Sequence, residues 1–129
     1  MKTQTISIIV IALLIIAGAV FLSVRDNQDK AAYGEFATCL KDSGAKFYGA
    51  FWCPHCLEQK RMFNGAHDEL PYVECSTTDH NQTQECTDLG IESYPTWEFA
   101  DGERVEGVMS LEMLAEKTNC QLPDAVSSQ

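Results

Sequence analysis

The sequence predicts an α/β domain with a central mixed β-sheet flanked by helices, preceded by one membrane-spanning helix. Three observations predict this fold class. Helix and strand patterns alternate along the chain, which ends in a two-strand hairpin and a closing helix. An apolar run fills residues 6–22. Between the first strand pattern and the helix pattern after it lies the motif Trp52-Cys53-Pro54-His55-Cys56.

The N-terminal segment, residues 1–24, is predicted to be a membrane anchor. Its apolar run extends through Val24 and reaches the ~20 residues that a bilayer requires. The alternative is a cleaved signal peptide, because Ala17-Gly18-Ala19 has the form of a cleavage site, but the apolar run continues past it. In either case the positive N-terminus stays inside and the domain lies on the extracytoplasmic side, in the periplasm or at the cell exterior. Cleavage would make it a secreted domain.

The remaining elements are predicted from hydrophobic periodicity and turn residues. In chain order they are a polar connector (25–30), a helix (31–43), a strand (46–51), a helix (57–63), a strand (71–75), a helix (82–89), two strands (97–99 and 104–108) and a last helix (111–119). Gly44 ends the first of these helices, Asp101-Gly102 makes the hairpin turn and Ser110 caps the last helix. The domain therefore spans residues 31–120, and we expect a loose tail at residues 121–129.

Composition limits the partners and the compartment. The 129 residues include 9 Lys and Arg and 19 Asp and Glu, a formal net charge of −10. So acidic a surface repels nucleic acid and anionic lipid head groups. Six cysteines in one small domain favour an oxidising compartment, and their even number allows all six to pair.

The motif has the residues of a redox site. A strand that turns into a helix places Cys53 at the helix N-terminus, where unpaired N–H groups and the helix dipole stabilise a thiolate. Since the thiolate attacks disulfides, we expect Cys53 to be a solvent-reachable nucleophile and Cys56, one turn later, to close or resolve the bond. Pro54 suits the first helical turn, and His55 adds a donor or a positive charge. On the helix that follows, Lys60 is expected to face outward.

Two other interpretations of the motif are weaker. A zinc site needs four ligands at paired spacings, and no second pair of Cys or His follows at a suitable distance. A purely structural disulfide is the second alternative. We therefore predict no metal and no cofactor other than the redox-active disulfide between Cys53 and Cys56.

The motif, the tripeptide Tyr94-Pro95-Thr96 and the Asp101-Gly102 turn together resemble the thioredoxin superfamily over roughly residues 31–119. The resemblance implies a thioredoxin-like sheet of about four strands, and it implies that Pro95 forms a cis peptide beside the motif. It also implies that the tripeptide and Trp52 position a substrate peptide.

A closer resemblance is to the thioredoxin-like domain attached to, or encoded beside, bacterial and plant homologues of vitamin K epoxide reductase. It covers residues 44–60, 72–75 and 90–97. It implies an oxidant that passes its disulfide to unfolded or reduced exported proteins and is reoxidised by a separate quinone-linked membrane enzyme of that type.

One position departs from ordinary thioredoxins, which usually bury an acidic residue six positions before the first motif cysteine. That position is Phe47 here, so proton transfer from Cys56 is expected to depend on water or another group. The dipeptide Pro54-His55 is the one found in periplasmic oxidants. More thiolate stabilisation makes a stronger oxidant, so we expect a potential above the roughly −270 mV of thioredoxin.

The other four cysteines allow three pairings. We favour two structural disulfides, Cys75–Cys86, which closes a short local loop, and Cys39–Cys120, which closes nearly the whole domain. The alternative is that the Cys75–Cys86 bond relays electrons.

These inferences together predict a membrane-anchored, exported thiol:disulfide oxidoreductase that works mainly as an oxidant. Cys53 forms the mixed disulfide, Cys56 resolves it and His55 tunes the thiolate. The enzymatic alternative is a disulfide reductase of the same compartment. The non-enzymatic alternative is a holdase that binds peptides in the groove of a thioredoxin scaffold.

Overall fold

The computed structural model describes residues 2–127, except for the side chains of residues 2, 3, 125 and 127. Five α-helices, one 3₁₀ helix and four strands are assigned within that range. They are α1 (Lys2–Asp42), β1 (Lys46–Gly49), α2 (Pro54–Arg61), the 3₁₀ helix (His67–Glu69), β2 (Tyr72–Glu74), α3 (Gln84–Asp88), β3 (Thr96–Glu98), β4 (Arg104–Glu106), α4 (Leu111–Thr118) and α5 (Asp124–Ser127).

The four strands form one mixed sheet in the order β2-β1-β3-β4. Strand β1 pairs in parallel with β2, and α2 and the 3₁₀ helix lie in the connection between these two strands. Strand β3 is antiparallel to both β1 and β4. The Asp101-Gly102 turn joins β3 to β4, as the sequence predicts. The predicted fold class, an α/β domain with a mixed sheet of four strands, is confirmed.

Aromatic residues from several elements pack together in the core. Phe47 on β1 is fully buried, and its ring lies 4.9 Å from that of Trp97 on the adjacent strand, with the two planes inclined by 11°. Phe36 on α1 stacks on Phe63, just after α2, with 5.9 Å between ring centroids. The buried face of α1 is the predicted one, formed by Tyr33, Phe36, Ala37 and Leu40.

A buried glutamine fixes helix α2 against the rest of the domain. Gln59 is fully buried, and its Nε2 donates to the carbonyl of Met109 at 3.0 Å. Its Oε1 accepts from the backbone N–H of Met109 and from Nε1 of Trp97. Three hydrogen bonds offset the desolvation of the amide, so this polar side chain links α2 to β3 and to the segment before α4.

Helix α1 differs from the prediction at the connector. Residues 25–30 are helical, so the apolar segment continues without a break into the part of α1 that packs in the domain. These residues include neither Gly nor Pro, and their Arg, Gln and Lys favour helix. The helix contains an 18-residue window with a mean hydropathy of 3.0, none of it buried, so it is long and apolar enough to cross a membrane.

Two disulfide bonds link distant elements, and they are the pairs that the sequence analysis favours. Cys39 on α1 is bonded to Cys120, just after α4, across 81 residues of sequence. Cys75, after β2, is bonded to Cys86 on α3 across 11 residues. Both cysteines of the second pair are fully buried.

The C-terminal segment also differs from the expected loose tail. Leu122 and Val126 pack against the core, and α5 lies within this segment. Burial of these two apolar side chains explains the difference, because it favours order over a solvated coil. Residues 128 and 129 of the predicted tail lie outside the described residues.

Candidate active site

Cys53 caps the start of helix α2. Its carbonyl accepts the first helical hydrogen bond from Leu57 at 3.1 Å, and Pro54 occupies the first helical position, where a missing N–H costs nothing. The Sγ of Cys53 lies 3.6 Å from the carbonyl oxygen of Tyr94, to which it donates. Cys53 exposes only 5% of its surface, less than the solvent-reachable sulfur that we expected. The segment around Tyr94 contributes to this cover.

The peptide bond between Tyr94 and Pro95 is cis, as the resemblance implies. Pro95 is buried, and its carbonyl accepts a hydrogen bond from Gly107 at 2.8 Å, which ties this segment to the end of β4. Thr96 is 3% exposed and its hydroxyl donates to the carbonyl of Ser93. The side chain of Thr96 therefore stabilises the turn. Its predicted role in substrate binding would require it to face the surface, and it does not.

Cys56 is the more deeply buried of the two motif cysteines, and both are free thiols. Burial is the main cause that raises the pKa of Cys56, to about 12, and the hydrogen bond and charge of Cys53 raise it further. The backbone at Ala50 and the ammonium group of Lys60 act in the opposite direction. Cys56 is therefore a protonated thiol at neutral pH, and Cys53 is the more accessible sulfur.

The space beside the Cys56 sulfur is narrow. A Cβ atom built on Gly49 would lie 2.9 Å from Sγ of Cys56 and 2.8 Å from Cε2 of Tyr72, so a larger residue at position 49 requires one of them to move. Tyr72 is on β2, adjacent to β1 in the sheet, and its ring lies under the ammonium group of Lys60, 3.3 Å from Nζ to the centroid. Its hydroxyl donates to Oε2 of Glu74 at 2.9 Å.

Sequence reasoning missed Tyr72 and Glu74, and the expected outward orientation of Lys60 is wrong. The ammonium group of Lys60 contacts the Tyr72 ring instead. One signal was available, because Lys60 follows Cys56 by four residues and therefore lies on the same face of the helix. Phe47, at the position of the usual buried acid, stacks in the core and supplies no ionisable group.

His55 is on the outer surface of helix α2. Its side chain is 70% exposed, and its Nδ1 lies 3.6 Å from Oε2 of Glu58. The imidazole of His55, two positions after Cys53 in sequence, therefore lies beside an acidic side chain.

Three apolar side chains close to Cys53 in sequence are exposed. Phe51, Trp52 and Leu57 expose 46%, 43% and 39% of their surfaces. The indole N–H of Trp52 donates to Oγ of Ser76 at 2.7 Å, and its ring lies edge-on to that of Tyr94 with 6.3 Å between centroids. A cavity of about 410 Å³ next to these rings is lined by Trp52, Ser76, His80, Gln82, Ile91 and Tyr94, among others.

Among residues 2–127, no group of three or more His, Cys, Asp or Glu side chains is placed to hold a metal ion. The chemistry that this arrangement supports is thiol–disulfide exchange. It offers one sulfur at a helix start, a second, more deeply buried sulfur one turn behind it, and exposed apolar side chains close by in the chain.

Comparison with known proteins supports this chemistry. No family model matches the chain. A thiol-disulfide oxidoreductase of Arabidopsis thaliana, LTO1, is 45% identical over 91 residues, which cover 67% of this chain and 24% of that protein. The matched part is thus about a quarter of the relative's length. The mixed four-stranded sheet and this similarity to a thiol-disulfide oxidoreductase fit the thioredoxin-like superfamily.

Proposed function

We propose that the chain is a membrane-anchored thiol:disulfide oxidoreductase with Cys53 as its nucleophilic and substrate-linked sulfur. The observation that carries the proposal is the position of Cys53, at the start of α2 with its Sγ 3.6 Å from the carbonyl of Tyr94. The 45% identity to a thiol-disulfide oxidoreductase supports it. Cys56, buried one turn later, is the partner sulfur.

The oxidising reaction proceeds in two exchange steps. A substrate thiolate attacks Sγ of Cys53 in the motif disulfide, the bond between the two motif sulfurs breaks, and Cys56 leaves with the electron pair. A second substrate thiolate then attacks the substrate sulfur of the mixed disulfide, and Cys53 leaves as a thiolate. The substrate loses two electrons and two protons, and the motif gains two electrons and becomes a dithiol.

The direction of transfer follows from how well the reduced form is stabilised. Cys53 lies at the positive end of the α2 dipole, which favours negative charge on its sulfur, and His55 follows two positions later. A stabilised thiolate makes the disulfide more oxidising, with a potential above the roughly −270 mV of thioredoxin. The chain therefore donates its disulfide to substrates.

The substrates we propose are reduced or unfolded exported proteins. Trp52 and Tyr94 line a cavity of about 410 Å³, and the carbonyl oxygen of Tyr94 lies 3.6 Å from Sγ of Cys53, so a peptide bound in this cavity would lie near the reactive sulfur. The partner that reoxidises the motif is a quinone-linked membrane enzyme of the vitamin K epoxide reductase type. The apolar part of α1 supports this choice, since it would hold the domain beside a membrane-embedded enzyme.

The domain lies on the extracytoplasmic side of the membrane in this proposal. The two disulfide bonds outside the motif support that side, because disulfides persist in oxidising compartments. Removal of the apolar segment by a signal peptidase would release the same domain as a secreted protein.

The test is a redox titration of the full chain in detergent against glutathione, followed by oxidation of a reduced, unfolded substrate protein. We expect a potential above that of thioredoxin and stoichiometric disulfide transfer, which Cys53→Ser abolishes. A potential near or below −270 mV identifies a reductase. If peptide binding persists in Cys53→Ser and the wild-type chain transfers no disulfide, the protein is a holdase.

A further inference from the structure

We infer that Lys60 is a positioning residue for Cys56: its ammonium group, held over the Tyr72 ring, stabilises the Cys56 thiolate when the motif disulfide is opened. The inference rests on the proposed function. It concerns the negative charge that forms on the buried sulfur of Cys56. Phe47, at the position where thioredoxins usually bury an acidic residue, has no ionisable group to interact with that charge.

Three elements bring this charge to the sulfur. Lys60 lies one helical turn after Cys56 on α2, and Gly49 on β1 borders both the Cys56 sulfur and the edge of the Tyr72 ring. The ammonium group of Lys60 lies 3.3 Å from the centroid of that ring, within the range of a cation–π interaction. The cation, the ring and the sulfur therefore occupy one site between the helix and the sheet.

Hydrogen bonds hold the ring in place under the lysine. The hydroxyl of Tyr72 donates to Oε2 of Glu74, and Oε1 of the same carboxylate accepts from the backbone N–H groups of Phe51 and Ser76, at 3.2 Å and 2.9 Å. Burial is the main cause that raises the pKa of Tyr72, and its bond to Glu74 adds to this. Tyr72 thus remains a neutral phenol that supports Lys60 without carrying charge.

Burial and nearby charge have opposite effects on the pKa values of Cys56 and Lys60. Lys60 lowers the pKa of Cys56, against the larger effect of burial and against Cys53. Burial lowers the pKa of Lys60, whereas Glu74, Cys56 and Asp68 raise it. The lysine is therefore partly desolvated, which strengthens its interaction with a thiolate compared with a lysine in water.

The step that Lys60 assists is the opening of the motif disulfide by a substrate thiolate. The bond between the substrate sulfur and Cys53 forms while the bond between Cys53 and Cys56 breaks, and the electron pair moves to Cys56. The new thiolate lies near the Lys60 ammonium group, which keeps its own proton, and Cys56 then takes a proton from water. A lower pKa of the leaving thiol makes it leave faster.

The first experiment measures the rate at which the oxidised full chain, in detergent, oxidises a dithiol peptide at pH 7. Lys60→Met keeps most of the apolar stem and removes the charge, and we expect the rate to fall about threefold, which corresponds to about one pKa unit in the leaving thiol at a Brønsted coefficient of about 0.5. Lys60→Arg should restore most of the rate. The matched control is Arg61→Met, which removes an exposed cation from the same helix and should leave the rate unchanged.

The second experiment isolates Cys56 in a Cys53→Ser background and measures its alkylation rate at pH 9. One unit in the pKa of Cys56 lowers its thiolate fraction about tenfold, but the remaining thiolate is roughly threefold more nucleophilic, so Lys60→Met should slow alkylation about threefold. If the wild-type chain transfers no disulfide to the peptide, the proposed function fails. If it does transfer, but Lys60→Met behaves like Arg61→Met in both experiments, the inference is overturned. A loss of rate without slower alkylation overturns it as well.

Discussion

Helix α2 begins with two free cysteines, whereas the four other cysteines are joined in two disulfide bonds. Cys75 and Cys86 are fully buried, and each is held on a different element of the domain. Cys53 also has little exposed surface, but it lies at the start of a helix and beside the backbone carbonyl of Tyr94. The motif cysteines and the disulfide-bonded cysteines are the same residue type, so the two groups differ in their surroundings in the fold.

The comparison shows what separates a reactive pair from a structural one. A structural disulfide stabilises the folded state by constraining the unfolded chain, and the expected stabilisation increases with the length of the loop that the bond closes. A reactive pair requires a stabilised thiolate, a partner sulfur one turn away and access for a substrate. Substitutions in the two regions should therefore change different observables.

The largest effect is expected at Cys53. Cys53→Ser removes the sulfur that we propose forms the mixed disulfide, so disulfide transfer to a reduced protein should fall at least about a thousandfold. The stability of the reduced chain should change little, since the side-chain volume is similar. Transfer assays and urea denaturation of the same preparation measure both. Residual transfer within tenfold of wild type would show that another cysteine reacts.

The next largest effect is expected for the bond that closes most of the domain. Replacing Cys39 and Cys120 together by alanine should lower the free energy of unfolding by about 4 kcal/mol, because this bond closes a loop across 81 residues. Transfer by the folded fraction should remain near the wild-type rate. Chemical denaturation at low temperature measures the loss of stability. If transfer fails while the variant is still folded, the bond has a role beyond structure.

Much of this molecule could be predicted from the sequence because local patterns and tertiary structure agree. The apolar face of α1 and the Ser110 cap, which accepts from the N–H of Met113 at 3.2 Å, follow from spacing alone. The Asp101-Gly102 turn follows from the residues that a hairpin requires, with Gly102 at a positive φ of 82°. The helical state of residues 25–30 was missed because polarity, rather than helix propensity, was taken as the boundary signal.

The surroundings of the motif were harder to predict, because they depend on contacts between elements. Gln59 appears in the sequence as a polar helix residue, and its burial depends on Trp97 and Met109, about 40 to 50 positions later. Lys60 was placed outward for the same reason, since its partner Tyr72 lies on a strand whose register the sequence does not specify. Pairing of distant strands is thus the information that local patterns lack.

A smaller effect is expected for the short loop closed by the second disulfide. Replacing Cys75 and Cys86 together by alanine should lower the free energy of unfolding by about 3 kcal/mol, in line with a bond across only 11 residues. If this bond is structural, transfer to a reduced protein should continue at the wild-type rate. A transfer rate reduced tenfold or more in the folded variant would instead support a relay of electrons through this pair.

The smallest effect is expected at Gly49, and it connects stability to the reactive pair. Gly49→Ala places a methyl group 2.9 Å from the Cys56 sulfur and 2.8 Å from the Tyr72 ring, so one of them must move. We expect a loss of about 1 to 3 kcal/mol in unfolding free energy and slower disulfide transfer. The control is Gly34→Ala on α1, where the nearest atom to a new Cβ is 3.8 Å away and alanine should stabilise the helix by up to about 1 kcal/mol. Equal stability changes in the two variants would contradict the close packing of Gly49 against Cys56 and Tyr72.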